Sequence, residues 1–234
     1  MASSSLIIGS TGLVGSHILA TLLAGESANA VHTITRRAPK PTSPKLHSIV
    51  EADTTQWVSK LTSITPPPST VISALGTTRA AAGGIANQWK IDHDLNVELA
   101  RAAKEAGVRH FVFVSSAGTR GILANRVPYS QMKQGVEDSV KALEFETAII
   151  LRPAFILGQR ETAQPGGDLA VSAVRGLGRW LGLGVQDRLG QEAEVIARAA
   201  VKAAKLAEEG KAPEKYWVLE QSDIVRLGRT EWKD

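Results

Sequence analysis

Tyr129 and Lys133 stand four residues apart in YSQMK, and the apolar run FVFV upstream ends in Ser115 and Ser116. On a helix, positions i and i+4 share one face, so phenol and ammonium would point the same way. An ordinary phenol, with pKa about 10, exchanges protons reluctantly near neutrality, and an adjacent ammonium favours its phenolate. Phenol, ammonium and hydroxyl could together pass a proton to or from an oxygen that the serine holds. Seen alone, YxxxK is only a tyrosine and a solvated lysine on a helix surface. Its meaning rests on what positions it.

A second set of residues sits near the start. LIIGSTGLVG is a strand-like run followed by Gly9, Gly12 and Gly15, opening a helix-period segment in which Val14, Ile18 and Leu22 form one stripe. In strand–turn–helix context, Gly9 allows the tight turn, Gly12 lets backbone approach a pyrophosphate, and Gly15 lets helix and strand lie close. The helix start then offers N–H groups and a positive dipole end to phosphates. We read a dinucleotide site here. An NAD site usually carries an acid at the end of the second strand; this chain has TITRR, ending in Arg36 and Arg37. Guanidinium can grip a 2′-phosphate with forked bonds, so NADP(H) is favoured, although Arg37 is equally suited to a solvated strand end. Asp53, past the third strand, suits either an adenine amine or the N-cap of the next helical turn.

The elements that must hold these residues follow from alternation. Strands are expected over Leu6–Ile8, Val31–Thr35, Leu46–Val50, Thr70–Leu75, Phe111–Ser115, Ala148–Leu151 and Tyr216–Leu219. Helices are expected over Leu13–Ala24, Trp89–Ala106, Tyr129–Leu143 and Glu192–Glu208, the last core-facing with one solvated side. Continuously hydrophobic strands alternating with helices predict an α/β fold, a doubly wound parallel sheet with both faces covered. At 234 residues we expect one domain, residues 1–234, with a small C-terminal substrate-side lobe or lid over 154–190, where Gly and Pro interrupt the alternation.

Composition removes several function classes. There is no cysteine, hence no disulfide, thiol nucleophile or thiolate metal site, and the five histidines are scattered without an HExxH pairing, so no metal is expected. The net charge of +4 is spread along the chain with no aromatic interleaving, which argues against nucleic acid. No apolar run approaches the ~20 residues of a membrane-spanning helix. MASSSLIIGSTG enters its first strand within five residues, so no cleavable presequence is expected.

Taken together, the strand–GxxGxxG–helix start, the strand-end serine and YxxxK resemble the short-chain dehydrogenase/reductase superfamily. SALGTTRAAAG, VSSAG, ILRPAFILGQRE and QPGGD resemble its atypical branch, the one that includes a human Tat-interacting oxidoreductase, and the tail VLEQSDIVRLGRTEW resembles fungal mitochondrial members. The likeness spans essentially the whole chain. It implies an NADP(H)-dependent oxidoreductase acting on a small carbonyl substrate, with Ser116, Tyr129 and Lys133 as catalytic residues and Ser115 as the fallback hydroxyl. It also implies cofactor contacts from Gly9, Thr11, Gly12, Leu13, Val14, Gly15, Arg36, Arg37, Asp53, Leu75, Gly76, Lys133 and Pro153. On this expectation hydride leaves the nicotinamide while Tyr129 supplies the proton and Ser116 holds the oxygen.

The chain departs from the pattern twice. Ala154 replaces the glycine that many relatives carry after the proline, and the fourth catalytic residue, an asparagine, has no secure counterpart, since Asp92 and Asn96 align equally well. Those departures leave a second class open, a weakly catalytic NADPH-binding scaffold or redox sensor. The fungal likeness further implies peripheral attachment to the cytosolic face of the mitochondrial outer membrane. Asp168–Val185, apolar with Arg175 and Arg179 between, is then either a lid over the pocket or a membrane contact.

Overall fold

The computed structural model describes residues 3–25, 28–121, 124–158 and 190–233. Each expected apolar run is a strand: β1 (Ser4–Ile8), β2 (Ala30–Thr35), β3 (Leu46–Val50), β4 (Thr70–Ser73), β5 (His110–Val114) and β6 (Thr147–Leu151). Two short strands that the sequence did not announce, β7 (Phe155–Leu157) and β8 (Gly190–Glu192), precede β9 (Tyr216–Leu219). Seven strands form one sheet in the order β3-β2-β1-β4-β5-β6-β9, and every neighbouring pair is parallel. The doubly wound expectation is met.

The helices are α1 (Leu13–Ala24), α2 (Trp57–Thr62), α3 (Arg79–Ala82), α4 (Ile85–Trp89), α5 (Asn96–Glu105), α6 (Pro128–Ala142), α7 (Ala193–Glu208) and α8 (Gln221–Val225). Alternation along each strand sorts the core into two layers. Ile7, Ile72, Val112 and Ile149 pack with α1 and α7, whereas Leu6, Ile8, Val71, Phe111, Phe113 and Ile150 pack with α2, α5 and α6. Because both faces are covered, the central strands carry almost no polar residue in their middles. The chain runs outward from β1 to β3, then returns to β4 on the other side of β1. That reversal opens a crevice above the carboxyl ends of β1 and β4, where such sheets bind ligands.

One local difference from expectation has a physical cause. Trp89–Ala106 is not one helix: α4 passes into a π-helical turn, Lys90–Leu95, before α5 begins. The Asn96 amide donates to the carbonyls of Ile91, at 3.0 Å, and Asp92, at 3.3 Å, so a side chain takes the place of ladder bonds there. Among the described residues no helix is long and apolar enough to cross a membrane.

At the opposite end of the sheet His110 is buried, and neither ring nitrogen has a hydrogen-bond partner among the described residues. Burial pushes its imidazole below the ordinary value, although Glu208, 3.9 Å from Nε2, pulls the other way. A neutral imidazole is thus favoured in the fold, and the unfolded chain binds more protons just below pH ~6.5. The contribution to stability is complete above that pH and is lost as pH falls through the folded value. A series of melting temperatures against pH should therefore be flatter on the acid side for His110→Leu than for the parent; parallel curves would exclude the effect.

Candidate functional site

The glycine turn follows β1 directly. Gly9 sits at φ +83°, and a Cβ there would lie 2.8 Å from the Ala74 carbonyl carbon and oxygen. Only glycine meets both demands. A Cβ on Gly15 would stand 2.1 Å from the Gly9 oxygen, which shows how closely α1 lies against the end of β1. The first turn of α1 contains no acidic residue, and its N-cap, Gly12, has no side chain with which to cap it. The first N–H groups of a helix have no intrahelical acceptor, so Leu13, Val14 and Gly15 present donors at a positive dipole end. Ser10, inside the turn, and Thr35, closing β2, are buried with hydroxyls that have no partner among the described residues. Donors without acceptors and two orphaned hydroxyls fit an anionic dinucleotide.

Beyond Thr35 come Arg36 and Arg37, both exposed, and Arg36 makes no ion pair among the described residues. Asp53 is the N-cap of the 3₁₀ turn Thr54–Gln56: its Oδ1 accepts from the Thr55 amide at 3.0 Å and the Thr55 hydroxyl at 2.7 Å. Of its two suggested roles, capping is the one the coordinates display. On the β4 side, the Ala74 amide donates to the Ile8 carbonyl at 2.9 Å, which brings Leu75 and Gly76 beside the glycine turn.

The residues expected to be reactive lie at β5 and α6. Val127 and Pro128 start α6, so Tyr129 is in its first turn and Lys133 one turn on. Lys133 is buried, donates to the Val114 carbonyl at 3.2 Å, and lies 4.7 Å from the centre of the Phe113 ring and 5.9 Å from that of Tyr129. The Tyr129 side remains 38% exposed, open to an incoming molecule. Lys133 also approaches Gly76, with Nζ 3.9 Å from where a Cβ would stand. Ammonium, phenol, the end of β5 and the Gly76 loop therefore converge.

The two serines separate clearly. Ser115 is buried and donates to Glu137 Oε1 at 2.5 Å, whereas Ser116 is part-exposed and makes only a 3.4 Å contact with the Ala117 carbonyl. Glu137 is fully buried between Arg152, 2.7 Å from Oε2, and Arg120, 3.3 Å away; the Arg152 guanidinium is raised above its ordinary value by that bond. Ser115 is thus committed to an internal ion network, and the part-exposed Ser116 stands outside it. The Ala117 amide donates to the Pro153 carbonyl at 2.7 Å, tying that loop to the end of β6. The chain's other tyrosine, Tyr216, is pushed up to about 12 by burial, with Glu137 adding to the effect.

Comparison with known sequences now bears on this geometry. The model of the NAD dependent epimerase/dehydratase family matches residues 5–175, most of the chain and every element just described up to Pro153. The chain belongs to that family. The family is NAD dependent by description, which indicates a nicotinamide dinucleotide as the cofactor class, in keeping with the turn at Gly9–Gly15. The chain is 70% identical over 232 residues to a Chaetomium globosum protein called FMP52, mitochondrial, covering 99% of this chain and 100% of the relative. It is 67% identical over 236 residues to the Neurospora crassa protein fmp-52, mitochondrial, covering 99% of this chain and 98% of that one. Among solved structures, MoeE5 in complex with UDP-glucose and NAD superposes with a TM-score of 0.65 at 19% identity, over 97% of this chain and 81% of its own. That likeness carries the fold.

Three contributors were not legible beforehand. Glu137 stands one turn beyond Lys133, a spacing that could have flagged it, but the strand-end arginine that buries it comes from elsewhere in the chain. Ser10 and Thr35 lie inside recognised motifs, yet only their missing partners single them out. Asp92 and Asn96, which the sequence could not choose between, occupy different places: Asn96 closes the π-helical turn, and Asp92 turns toward Gly76 and Lys133. Residues 159–189, including Asp168–Val185 and most of the expected lobe, lie outside the described residues. Their flanks are held together by the parallel pairing of β7 with β8.

Proposed function

We propose that the protein is an NADP(H)-dependent oxidoreductase that reduces a small carbonyl compound, with Tyr129 as acid/base. The observation that carries this reading is the placement of Lys133, buried between the Tyr129 ring, the end of β5 and Gly76. Gly9, Thr11, Gly12, Leu13, Val14 and Gly15 would hold the pyrophosphate, Leu75 and Gly76 would flank the ribose, and Pro153 would wall the nicotinamide end. Asp53 contributes to the adenine side only insofar as its capping bonds leave it able. Bound there, reduced nicotinamide supplies hydride to the carbonyl carbon.

The residues of this chain do the rest. Ser116 orients the carbonyl oxygen and stabilises the charge that grows on it. Tyr129, open to that oxygen, delivers a proton from its hydroxyl. Lys133 keeps a positive charge beside the phenol, stabilising it once the proton has gone. A scaffold or sensor without turnover would have no use for an accessible phenol and a buried ammonium side by side. The mitochondrial names of the relatives support a mitochondrial setting, and attachment to the outer-membrane face rests on the fungal likeness and on Asp168–Val185.

The choice of NADP(H) over NAD(H) rests on Arg36 and Arg37 at the end of β2, where an acid would repel a 2′-phosphate. Losing one charge-assisted contact costs about 1.5–3 kcal/mol, roughly 10- to 100-fold in affinity. Arg36→Ala should weaken NADPH binding by that factor while changing NADH binding little, as read by fluorescence titration. Equal loss for both dinucleotides would remove the case for the phosphate.

A further inference from the structure

Asp92 is a fully buried carboxylate facing a buried ammonium across a single glycine. Its Oδ1 accepts the Thr77 amide at 2.6 Å and its Oδ2 accepts the Gln88 amide at 3.1 Å. A Cβ placed on Gly76 would lie 3.4 Å from Asp92 Oδ1 and 3.9 Å from Lys133 Nζ. The two charges therefore flank one point of the loop that runs against the proposed cofactor position. Burial raises the Asp92 carboxyl above its ordinary value, and the Lys133 ammonium is foremost among the groups that oppose the rise.

Lys133 needs such a partner. It is only 4% exposed, and among the described residues its polar and ring contacts are one backbone carbonyl and the faces of two rings. A buried ammonium left without a counter-charge is strongly disfavoured. Other charged groups near these elements are spoken for. Glu137, one turn along α6, is occupied by Ser115, Arg120 and Arg152. His93, next to Asp92, turns to Asp94 and packs against Gly135. Arg79, beyond the Gly76 loop, is exposed. The strand ends at β5 bring only hydroxyls.

We propose that Asp92 is the buried counter-charge of Lys133 and acts as the positioning residue of the Tyr129 site. It works through that ammonium and, by way of the Thr77 amide, through the Gly76 loop. The π-helical turn explains how it gets there. An uninterrupted helix from Trp89 would close its own ladder, whereas the wider turn is stapled by Asn96, itself accepting from Ser73 at the end of β4. The role of Asp92 rests on reading Tyr129 and Lys133 as the proton pair; the charge coupling it predicts can be measured without substrate or cofactor.

The test is a double-mutant cycle on the full chain, using Asp92→Asn, Lys133→Met and the pair together. Asparagine keeps an oxygen for Thr77; its nitrogen meets the Gln88 amide, which also donates to the Thr77 carbonyl at 3.3 Å, so the comparison between backgrounds, which shares that change, isolates the charge. Asp92→Asn should lower the melting temperature at pH 8 in the parent and leave it unchanged or higher in the Lys133→Met background. In protein labelled with ¹³C at lysine Cε, the resonance missing from Lys133→Met should report proton loss at least about one pH unit lower in Asp92→Asn, a tenfold change. Equal cost in both backgrounds, or an unmoved lysine midpoint, would reduce Asp92 to a loop anchor and overturn the proposal. If Asp92→Asn does not fold alone, recovery of folding in the double variant supports the pairing, and failure of both overturns it. NADPH titration of the parent separately decides the reading of the site.

Discussion

Tyr129→Phe should bind NADPH within about threefold of the parent and reduce carbonyl compounds roughly 10²- to 10⁴-fold more slowly, the usual share of a positioned acid. The substitution removes one oxygen from a side chain that is 38% exposed and has no role in the core. Stability should barely change, because the ring still covers the Lys133 side of α6. Tyr216 cannot stand in, since burial holds its proton up to about 12 and its hydroxyl contacts the Glu137 backbone carbonyl at 3.4 Å. The measurement is steady NADPH consumption across aldehydes, ketones and quinones, alongside a binding titration. A variant that consumes NADPH as fast as the parent would end the assignment of the phenol, whatever else binds.

Gly15→Ala is expected to act at the other end of the crevice and on two quantities together. The added methyl would stand 2.1 Å from the Gly9 oxygen and 2.8 Å from its carbonyl carbon, backbone atoms that cannot rotate aside. To admit it, α1 must move away from β1, though Val14, Ile18, Leu19 and Leu22 anchor that helix in the core. Overpacking of this kind costs about 1–3 kcal/mol, and the upper part of that range applies where backbone is struck. The same displacement withdraws the N–H groups of Leu13 and Val14 from the place where phosphate would sit, so dinucleotide affinity should fall by more than about 100-fold. Calorimetry and cofactor titration would be read side by side. A well-folded variant with parental affinity would show that the close approach of helix and strand is dispensable for binding.

The fold was readable because the signals that encode it are local. Leu6–Ile8 and Ile149–Leu151 are apolar on both faces, and Leu13–Ala24 carries one stripe, so strand, turn and helix are specified within a few residues. The same holds for Gly9–Gly15 and for the four-residue spacing of Tyr129 and Lys133. What escaped depends on partners distant in sequence. No pattern in QWKIDHDLN shows a π-helical turn, since periodicity is kept until Asn96 reaches back to two carbonyls. Ser115 and Ser116 look interchangeable as letters and are told apart by Glu137, whose burial depends on Arg152 from β6 and Arg120 from the loop. Asp53 was suited to two roles, and the choice lay in where Thr55 would fall.

Arg152 connects more than the serines. Its other guanidinium nitrogen reaches Glu220 at 2.9 Å, and its carbonyl takes a bond from the Gln221 amide at 2.8 Å, both just past β9. The last strand thus supplies part of the frame behind Ser116 and Pro153, while the glycine turn is built wholly from the first thirty-odd residues and their neighbours. Arg152 therefore ties the tail of the chain to the loop that carries Ser116. A chain cut short before Glu220 would lose that brace together with Ile224 and Leu227, which are buried in the same layer as α1 and α7, so the tail holds up both ends of the crevice.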